Sequence, residues 1–418
     1  PELNAAEYDT LSAREDQAII RSERLPRLTL DGSAGYAYRE RTTDGLLRSG
    51  DPLFQRQLSL SLRQLLYDGG TIKNQTKASR NALLAQQYLE KAMIEDRVVD
   101  LAEVYLEIIR TRRQVGLAES NVRNHQRMRD LLRERAEAGG SRADVALVQG
   151  RLGLAVSQLA TQKLSYQTAE ARWERLVGSK PGSLNHPQVP AVAHSLSAVD
   201  LSNNFNYLAA AEALEGAEHR AKAMKGLYGP KIYFDGGATA GRDSIGIRGE
   251  DNEVSALVTG TWDLFRGGYN RAMNEREHFQ VGKYEELKRA ADLQRQYELD
   301  LIWQERAGSQ ASITALRKYA DELSQVTGDY EDQFKVGRQE LMNILDVQNE
   351  SFTARSRLLD AEFDYNTAAY RLLGVQGKAT LHILGPDGCE KCFSKNPKEP
   401  VLVSTGTKEN AEPDNRAP

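Results

Sequence analysis

The chain has 418 residues, enough for two or three globular domains, but its composition does not favour a globular enzyme. Charged residues make up 27% and aromatic residues only 7%, and the mean hydropathy is -0.57, so little apolar side chain is available for a compact core. The net charge of -4 comes from interleaved acids and bases, which argues against a nucleic-acid-binding surface. No apolar run approaches the roughly 18 residues of a membrane helix, so a chain that crosses a membrane would have to use strands.

A helical pattern covers residues 5–25 and ends before Pro26, since the residue before a proline is biased away from the helical region. The numbering is interpreted as that of a mature or trimmed chain, and the sequence alone does not decide whether an export signal was removed. Two strand-like runs follow, 28–39 and 57–66, joined by a polar loop over 39–54. Both runs alternate apolar and polar side chains, which indicates one face against an apolar environment and the other against water.

Long helices are predicted after the strands. Residues 72–136 contain no proline and a single glycine, and their apolar residues recur at 3-4 spacing, with Glu95 at one of these positions. At 1.5 Å per residue, such a helix would be about 100 Å long. The pair Gly139 and Gly140 ends it, and residues 142–177 are predicted to return as a second helix.

The same order of elements recurs about 200 residues later, a spacing that marks an internal repeat. Its members are helix 201–227, strands 231–241 and 253–262, long helix 269–334 and return helix 340–373. The predicted organisation is therefore a first repeat over 1–195, a second repeat over 196–378 and a tail over 379–418. The tail loses periodicity and is expected to be partly disordered.

Assembly of several copies follows from these elements. The return helix 340–373 carries two apolar seams, whereas a two-stranded coiled coil needs one, so neighbours on both flanks are expected, as in a closed ring of helices. Four strands cannot close a barrel, since single-chain bacterial barrels begin at about eight strands, and an open sheet in lipid leaves backbone groups unsatisfied. Three copies of the chain would supply twelve strands. The alternative is a soluble four-stranded sheet with long helical arms.

The chain resembles the TolC-like outer membrane factor family, the channel-tunnels of Gram-negative efflux pumps and type I secretion systems. The resemblance covers about residues 1–378. It rests on the duplicated order of strands and helices, on the Tyr-Asp-Gly-Gly turn at 67–70 and the Phe-Arg-Gly-Gly turn at 265–268, and on the openings of the return helices at 140–145 and 337–348.

The resemblance implies an α+β membrane channel with an internal two-fold repeat. Four β-strands per chain would join a shared 12-stranded trimeric β-barrel in the bacterial outer membrane, and long coiled-coil helices would form an α-barrel that extends into the periplasm. The partners implied are two further copies of the chain, a periplasmic adaptor protein, an inner-membrane transporter and outer membrane lipid. No enzymatic activity, cofactor or nucleic-acid partner is implied.

The resemblance places a gate at the periplasmic tip. The constriction acid falls on Asp346, and a second position that is often acidic falls on Asn343. Polar links that hold the gate shut map to Asp144, Phe334 and Gln339. A tyrosine hydroxyl is expected at the position of Phe334, and phenylalanine cannot supply one. Three carboxylates on one axis would repel one another and attract cations, whereas the alternative for Asp346 is a solvated residue on a long helix.

Two turns between helices are the predicted docking sites of the adaptor. The first consists of Gly139, Gly140, Ser141 and Arg142, and the second of Val336, Gly337 and Arg338. Ordinary helix–helix turns would look the same in sequence, since glycine is common at helix ends.

Two cysteines, Cys389 and Cys392, lie close together in the predicted tail, and we expect a local disulfide between them. Their spacing also matches a redox or zinc pair, but a second pair of ligands is missing from the sequence. The six histidines share no metal spacing, and no nucleotide-binding or nucleophile motif occurs. The sequence therefore predicts neither a metal site nor an enzyme.

Type I protein secretion is the favoured function, because residues 176–181 and 346–352 are similar to secretion-type members of the family. Efflux of drugs or metal ions is the first alternative. A soluble coiled-coil scaffold is an alternative of another class.

Overall fold

The computed structural model describes residues 2–38, 40–43, 46–49, 52–185, 189–193, 195–243 and 249–393; for 40–43, 46–49 and 387–393 it describes the backbone. The first repeat contains α1 (Glu2–Ser22), β1 (Arg27–Ala37), β2 (Glu40–Thr43), β3 (Leu46–Ser49), β4 (Leu53–Tyr67), α2 (Thr71–Glu137) and α3 (Arg142–Val177). The second contains α4 (Phe205–Met224), β5 (Lys231–Arg242), β6 (Glu250–Thr261), α5 (Tyr269–Lys335) and α6 (Leu341–Val375), and α7 (Ala379–Phe393) follows. Short 3-10 turns occur at Leu196–Ala198 and Lys225–Tyr228.

The long helices have the extent that the sequence predicted. α2 and α5 each contain 67 residues, which corresponds to about 100 Å. Neither contains proline, which would remove a backbone hydrogen bond. The return helix α3 begins at a capping serine, whose Oγ accepts the backbone N–H of Asp144 at 3.2 Å.

Four strands form one antiparallel sheet in the order β1-β4-β5-β6. Its register pairs Leu28 with Leu62 and Leu60 with Ala238, so apolar side chains of neighbouring strands lie together on one face of the sheet. Several large apolar side chains of this face are exposed in the single chain, among them Leu28, Leu30 and, by 86%, Val254. Among the described residues, β1 and β6 each pair with a strand on one side only, so this sheet is open at both edges.

The opposite face of the sheet is polar. Arg63 Nε lies 2.6 Å from Asp235 Oδ1, and the hydroxyl of Thr259 donates to the other oxygen of this carboxylate at 2.5 Å. The guanidinium of Arg63 also lies over the Tyr233 ring, 5.3 Å from its centroid. The alternation of apolar and polar side chains that the sequence predicted therefore gives the sheet one apolar face and one polar, hydrogen-bonded face.

Three segments differ from the sequence prediction. The predicted loop 39–54 contains the hairpin β2–β3, whose four-residue strands are too short to show a clear period. The predicted helix 201–227 begins later, at Phe205, because Asn204 Oδ1 accepts the backbone N–H of Tyr207 and caps it. The first part of the predicted tail is the helix α7, which is kinked at Gly385. Residues 394–418 lie outside the described part of the chain.

In the half of the molecule that lies away from the sheet, the long helices pack side by side in the order α3-α2-α6-α5. Between α2 and α6 the core consists of Leu106, Ile109, Leu359, Phe363 and Tyr370. α6 thus has neighbours on both flanks, as its two apolar seams predicted. α3 and α5 lie at the two ends of the row.

No helix within the described ranges combines the length and the apolar character needed to cross a bilayer.

Helix α7 is anchored on a buried carboxylate of α2. Glu95, 3% exposed, accepts the backbone N–H of Ala379 at 2.8 Å and that of Thr380 at 3.1 Å. These are N–H groups of the first turn of α7, which no intrahelical carbonyl satisfies. Burial raises the pKa of the Glu95 carboxyl above its usual value, and the hydrogen bonds from Thr380 and Ala379 oppose this shift.

Candidate functional site at the helical tip

Four helices meet at the end of the molecule that lies away from the sheet. Their common core consists of Met128 and Leu132 from α2, Val148 from α3, Phe334 from α5, and Leu341, Ile344 and Leu345 from α6. The two helical hairpins, α2–α3 and α5–α6, are thus packed together directly above their turns.

The two turns predicted as docking sites lie side by side at this end. Gly139 and Gly337 adopt left-handed conformations, with φ of 98° and 73°, that other residues rarely adopt. All seven predicted docking residues are exposed: Gly139, Gly140, Ser141, Arg142, Val336, Gly337 and Arg338. The tip therefore presents two short loops whose backbone is fixed by the helices below them.

Asp346, the predicted constriction acid, lies on the exposed side of α6 and forms an ion pair. Nη2 of Arg151 on α3 is 2.9 Å from its Oδ1. Asn343 precedes it by three residues on the same helix face and donates from Nδ2 to Gln339 Oε1 at 3.5 Å. Oε1 of Gln339 also accepts the backbone N–H of Glu340. Asn343 and Gln339 are thus brought together, whereas Asp346 is bound to a residue that the sequence analysis did not identify.

Phe334 is buried in the tip core, and its ring is covered by an arginine of the other hairpin. The guanidinium carbon of Arg135, on α2, is 4.5 Å from the ring centroid. Nη2 of Arg135 donates to the carbonyl oxygens of Phe334 (3.4 Å) and Lys335 (3.2 Å) at the end of α5. Asp144 is half-buried, and none of the described hydrogen bonds joins its carboxylate to Phe334 or Gln339.

Arg135 and Arg151 were missed because their partners are 199 and 195 positions away in the chain. No local motif marks either residue. A buried histidine of α2, His125, lies near Arg151; burial lowers the pKa of its imidazole, and the charge of Arg151 lowers it further. Both effects favour the neutral form of His125 beside the charged Arg151.

The sequence predicted no metal site and a disulfide in the tail, and the described residues bear on the first of these only. Within them, no group of three or more histidine, cysteine, aspartate or glutamate side chains is placed to hold a metal ion. The side chains of Cys389 and Cys392 lie outside the described part, so the predicted disulfide stays a prediction.

Comparison with known proteins assigns the family. The model of the outer membrane efflux protein family matches residues 1–179 and 197–378. The chain belongs to the outer membrane efflux protein family. Proteins of this family are passive trimeric channels of the outer membrane, and they work with a periplasmic adaptor and an inner-membrane transporter. The predicted family, fold class and location are thereby confirmed, and the scaffold alternative is excluded.

Individual members of the outer membrane efflux protein family are similar over most of the chain. The outer membrane efflux protein BepC of Brucella suis is 25% identical, over 92% of this chain and 84% of its own length. The alkaline protease secretion protein AprF of Pseudomonas aeruginosa is 22% identical, over 98% and 91%. The cation efflux system protein CusC of Escherichia coli K12 is 23% identical, over 87% and 80%. A crystal structure of CusC superposes with a TM-score of 0.77 at 20% identity, over 90% of this chain and 89% of that one.

Proposed function

We propose that this protein is the trimeric exit duct of a type I secretion system, passive itself and driven by an inner-membrane transporter. The main observation in support of a channel is the open four-stranded sheet, which exposes an apolar face. The assignment to secretion is supported by the similarity to AprF, which extends over 98% of the chain. The segments 176–181 and 346–352, which resemble those of secretion-type members, support it further.

Trimer formation follows from the free edges of the sheet and of the helix row. In lipid, unsatisfied N–H and C=O groups of β1 and β6 would cost several kcal/mol each, so these edges must pair. Pairing β6 of one copy with β1 of the next closes twelve strands from three copies. The same rotation brings α5 of one copy beside α3 of the next and closes the row of helices. The repeats 1–195 and 196–378 would then alternate around the axis.

Aromatic side chains support placement of the sheet in the outer membrane. At one end of the sheet, Tyr36 and Phe54 are paired across β1 and β4, with ring centroids 5.2 Å apart. At the end that joins the helices, Tyr67, Trp262 and Phe265 are exposed, Phe265 by 87%. Aromatic girdles at both interfaces are typical of outer membrane strands. The helices would then extend into the periplasm.

The tip is proposed as the gate and as the adaptor-docking site. Asp346 would form a ring of three acids, with Asn343 and Gln339 one turn nearer the end and with Phe334 and Asp144 in the supporting hairpins. The exposed loops 139–142 and 336–338 would contact a helical hairpin of the adaptor. Opening requires that the partner binds the splayed arrangement more tightly than the closed one.

Asp346→Ala is expected to weaken block of the channel by divalent cations and to raise single-channel conductance. Removing three carboxylates should raise the half-blocking concentration by about tenfold, equivalent to about 1.4 kcal/mol of lost attraction. Recordings in planar bilayers measure both quantities. Asp332→Ala is the matched control, since Asp332 is an exposed acid near the same end and pairs with Lys335 on its own helix. Unchanged block and conductance in Asp346→Ala would remove this residue from the gate.

Efflux of drugs or metal ions is the second candidate function, favoured by the similarity to BepC and CusC. Deletion of the gene in the source organism separates the two. Secretion predicts loss of one secreted protein at unchanged tolerance to drugs and metal salts. Hypersensitivity to a drug or a metal salt with an unchanged set of secreted proteins would reject the secretion assignment.

A further inference from the structure

Two arginines lie side by side on the apolar face of the sheet, at the end remote from the helices. The register places Arg56 of β4 directly opposite Arg242 of β5, and the next pair on the same face is Leu58 with Ala240. Because successive side chains of a strand point to opposite faces, Arg56 shares its face with Leu58 and Leu60. The apolar rows of β4 and β5 are therefore followed by two cations.

These two arginines have no ion-pair partner in the part of the chain that the structure describes. Like charges directly opposite in an antiparallel pair repel one another, since their Cβ atoms are about 5 Å apart. Both side chains are exposed, and neither guanidinium forms an ion pair or a side-chain hydrogen bond with another described residue. Glu250 of β6 lies opposite Arg242 in the next pairing, but it forms no ion pair with this arginine.

A second pair of opposed arginines in the same sheet shows how the protein compensates such a charge internally. Arg27 of β1 lies opposite Arg63 of β4 on the polar face, and Asp235 of β5 binds Arg63 at 2.6 Å. The hydroxyl of Thr259 donates to the other oxygen of this carboxylate. No described carboxylate binds the pair on the apolar face, so its counter-charge has to come from outside the chain.

The two arginines line one open groove with a volume of about 590 Å³. Gly32, Ala34 and Ala240 also line it, and their short or absent side chains leave room above the sheet. A guanidinium presents its N–H donors in a planar fork that matches phosphate oxygens. The groove therefore has both the donors and the room for a phosphate headgroup.

The position of the groove indicates which phosphate would bind. Pairing of β1 and β6 with neighbouring copies leaves the inner strands β4 and β5 uncovered on the apolar face. The aromatic pair Tyr36 and Phe54 follows directly beyond Arg56 on this face. Aromatic side chains at the end of a membrane strand lie at the level of the lipid headgroups. With the helices in the periplasm, this level belongs to the outer leaflet.

We propose that Arg56 and Arg242 bind the phosphate group of an anionic lipid of the outer leaflet, with one site in each chain. Both guanidiniums would donate to the phosphate oxygens, and an acyl chain would lie along Leu58 and Leu60. Two arginines and Glu250 sum to one net positive charge, so a zwitterionic headgroup would not neutralise the site. This inference rests on the proposed channel function, which places the apolar face in lipid.

The test is native mass spectrometry of the detergent-extracted protein with added phosphatidic acid, or with phosphatidylcholine of the same acyl chains. We expect the wild type to retain up to three molecules of phosphatidic acid per trimer and to retain phosphatidylcholine more weakly. Arg56→Gln and Arg242→Gln should each weaken binding of phosphatidic acid by about tenfold, the effect of losing a hydrogen bond to a charged group. Arg56→Lys, which keeps the charge, should lose less.

Thermal unfolding in detergent separates loss of the lipid from damage to the fold. Without anionic lipid, Arg56→Gln should be as stable as the wild type or more stable, because it removes the repulsion between the arginines. With phosphatidic acid, the wild type should gain more stability than this variant. Arg27→Gln is the matched control, since Arg27 is an exposed arginine of the same sheet on its polar face. It should bind phosphatidic acid as the wild type does.

Three results would overturn the lipid site. They are equal retention of phosphatidic acid and phosphatidylcholine by the wild type, unchanged retention in both glutamine variants, and displacement of phosphatidic acid by an equal concentration of inorganic phosphate. If these occur in a trimer that conducts ions in planar bilayers, the proposed channel stands and only the lipid site is wrong. A wild-type protein that forms no channel would overturn the proposed function together with this inference.

Discussion

Replacing Glu95 with alanine is expected to lower the free energy of unfolding by about 3 kcal/mol and to release helix α7 from α2. The reason is that two buried N–H groups at the start of α7, those of Ala379 and Thr380, would lose their acceptor. Both residues are fully buried, so water does not replace the carboxylate without opening the contact. Thermal unfolding in detergent measures the loss, and tryptic cleavage after Lys378 measures the release.

Glu95→Gln is the control, because it keeps a carbonyl oxygen in the same place and removes the titratable group. The raised pKa of Glu95 means that the folded protein binds this proton at a higher pH than the unfolded chain does. The contribution of this group to stability is therefore full below the unfolded pKa and is lost as pH rises through the folded pKa. Glu95→Gln should flatten this part of the pH profile. Wild-type stability and wild-type protection of Lys378 in Glu95→Ala would contradict the anchoring role.

Replacing Gly226 with alanine is expected to destabilise the junction between sheet and helices by about 3 kcal/mol or more and to reduce the yield of assembled protein. An added Cβ at Gly226 would lie 2.1 Å from Oγ1 of Thr71 and 2.8 Å from the carbonyl oxygen of Asp68. Thr71 is the first residue of α2, and its hydroxyl also donates to the carbonyl oxygen of Asp68. The clash is with backbone as well as side chain, so it is not relieved by a rotamer change. Thermal unfolding in detergent and recovery of the complex after extraction measure the effect.

Gly229→Ala is the matched control for this substitution. It lies three residues away, just before β5, and an added Cβ would meet its nearest neighbour at an ordinary 3.8 Å. We expect its stability and yield to stay close to wild type. Equal behaviour of the two variants would show that the close approach of Gly226 to the start of α2 does not constrain the fold.

Most of the architecture could be predicted because it depends on short-range periods. A 3-4 spacing sustained over more than sixty residues has few explanations other than a long helix, and α2 and α5 confirm it. Alternation in 57–66 predicted β4, and the register with β5 aligns the apolar residues as expected. Because the order of strands and helices occurs twice, the pattern in each half of the chain supported the prediction for the other half.

The contacts that tie the parts together could not be predicted in the same way. Glu95 was visible only as an acid at an apolar position of α2, and its partners belong to a helix 284 residues further along that was predicted to be partly disordered tail. In the sequence, Arg135 and Arg151 cannot be distinguished from the other arginines of α2 and α3. They stand out only when the positions of α5 and α6 against these helices are known. Such pairs depend on tertiary geometry, which local composition does not specify. The backbone of Cys389 and Cys392 lies in α7. This helix was not predicted, because the apolar residues after residue 378 lack a helical period.

One chain contributes too few strands to close a pore, and three identical chains combine theirs. Native mass measurement of the detergent-extracted protein tests it most directly. We expect a complex of three times the 46.6 kDa chain mass that depends on detergent for its solubility. A monodisperse single chain that stays soluble without detergent would contradict the claim.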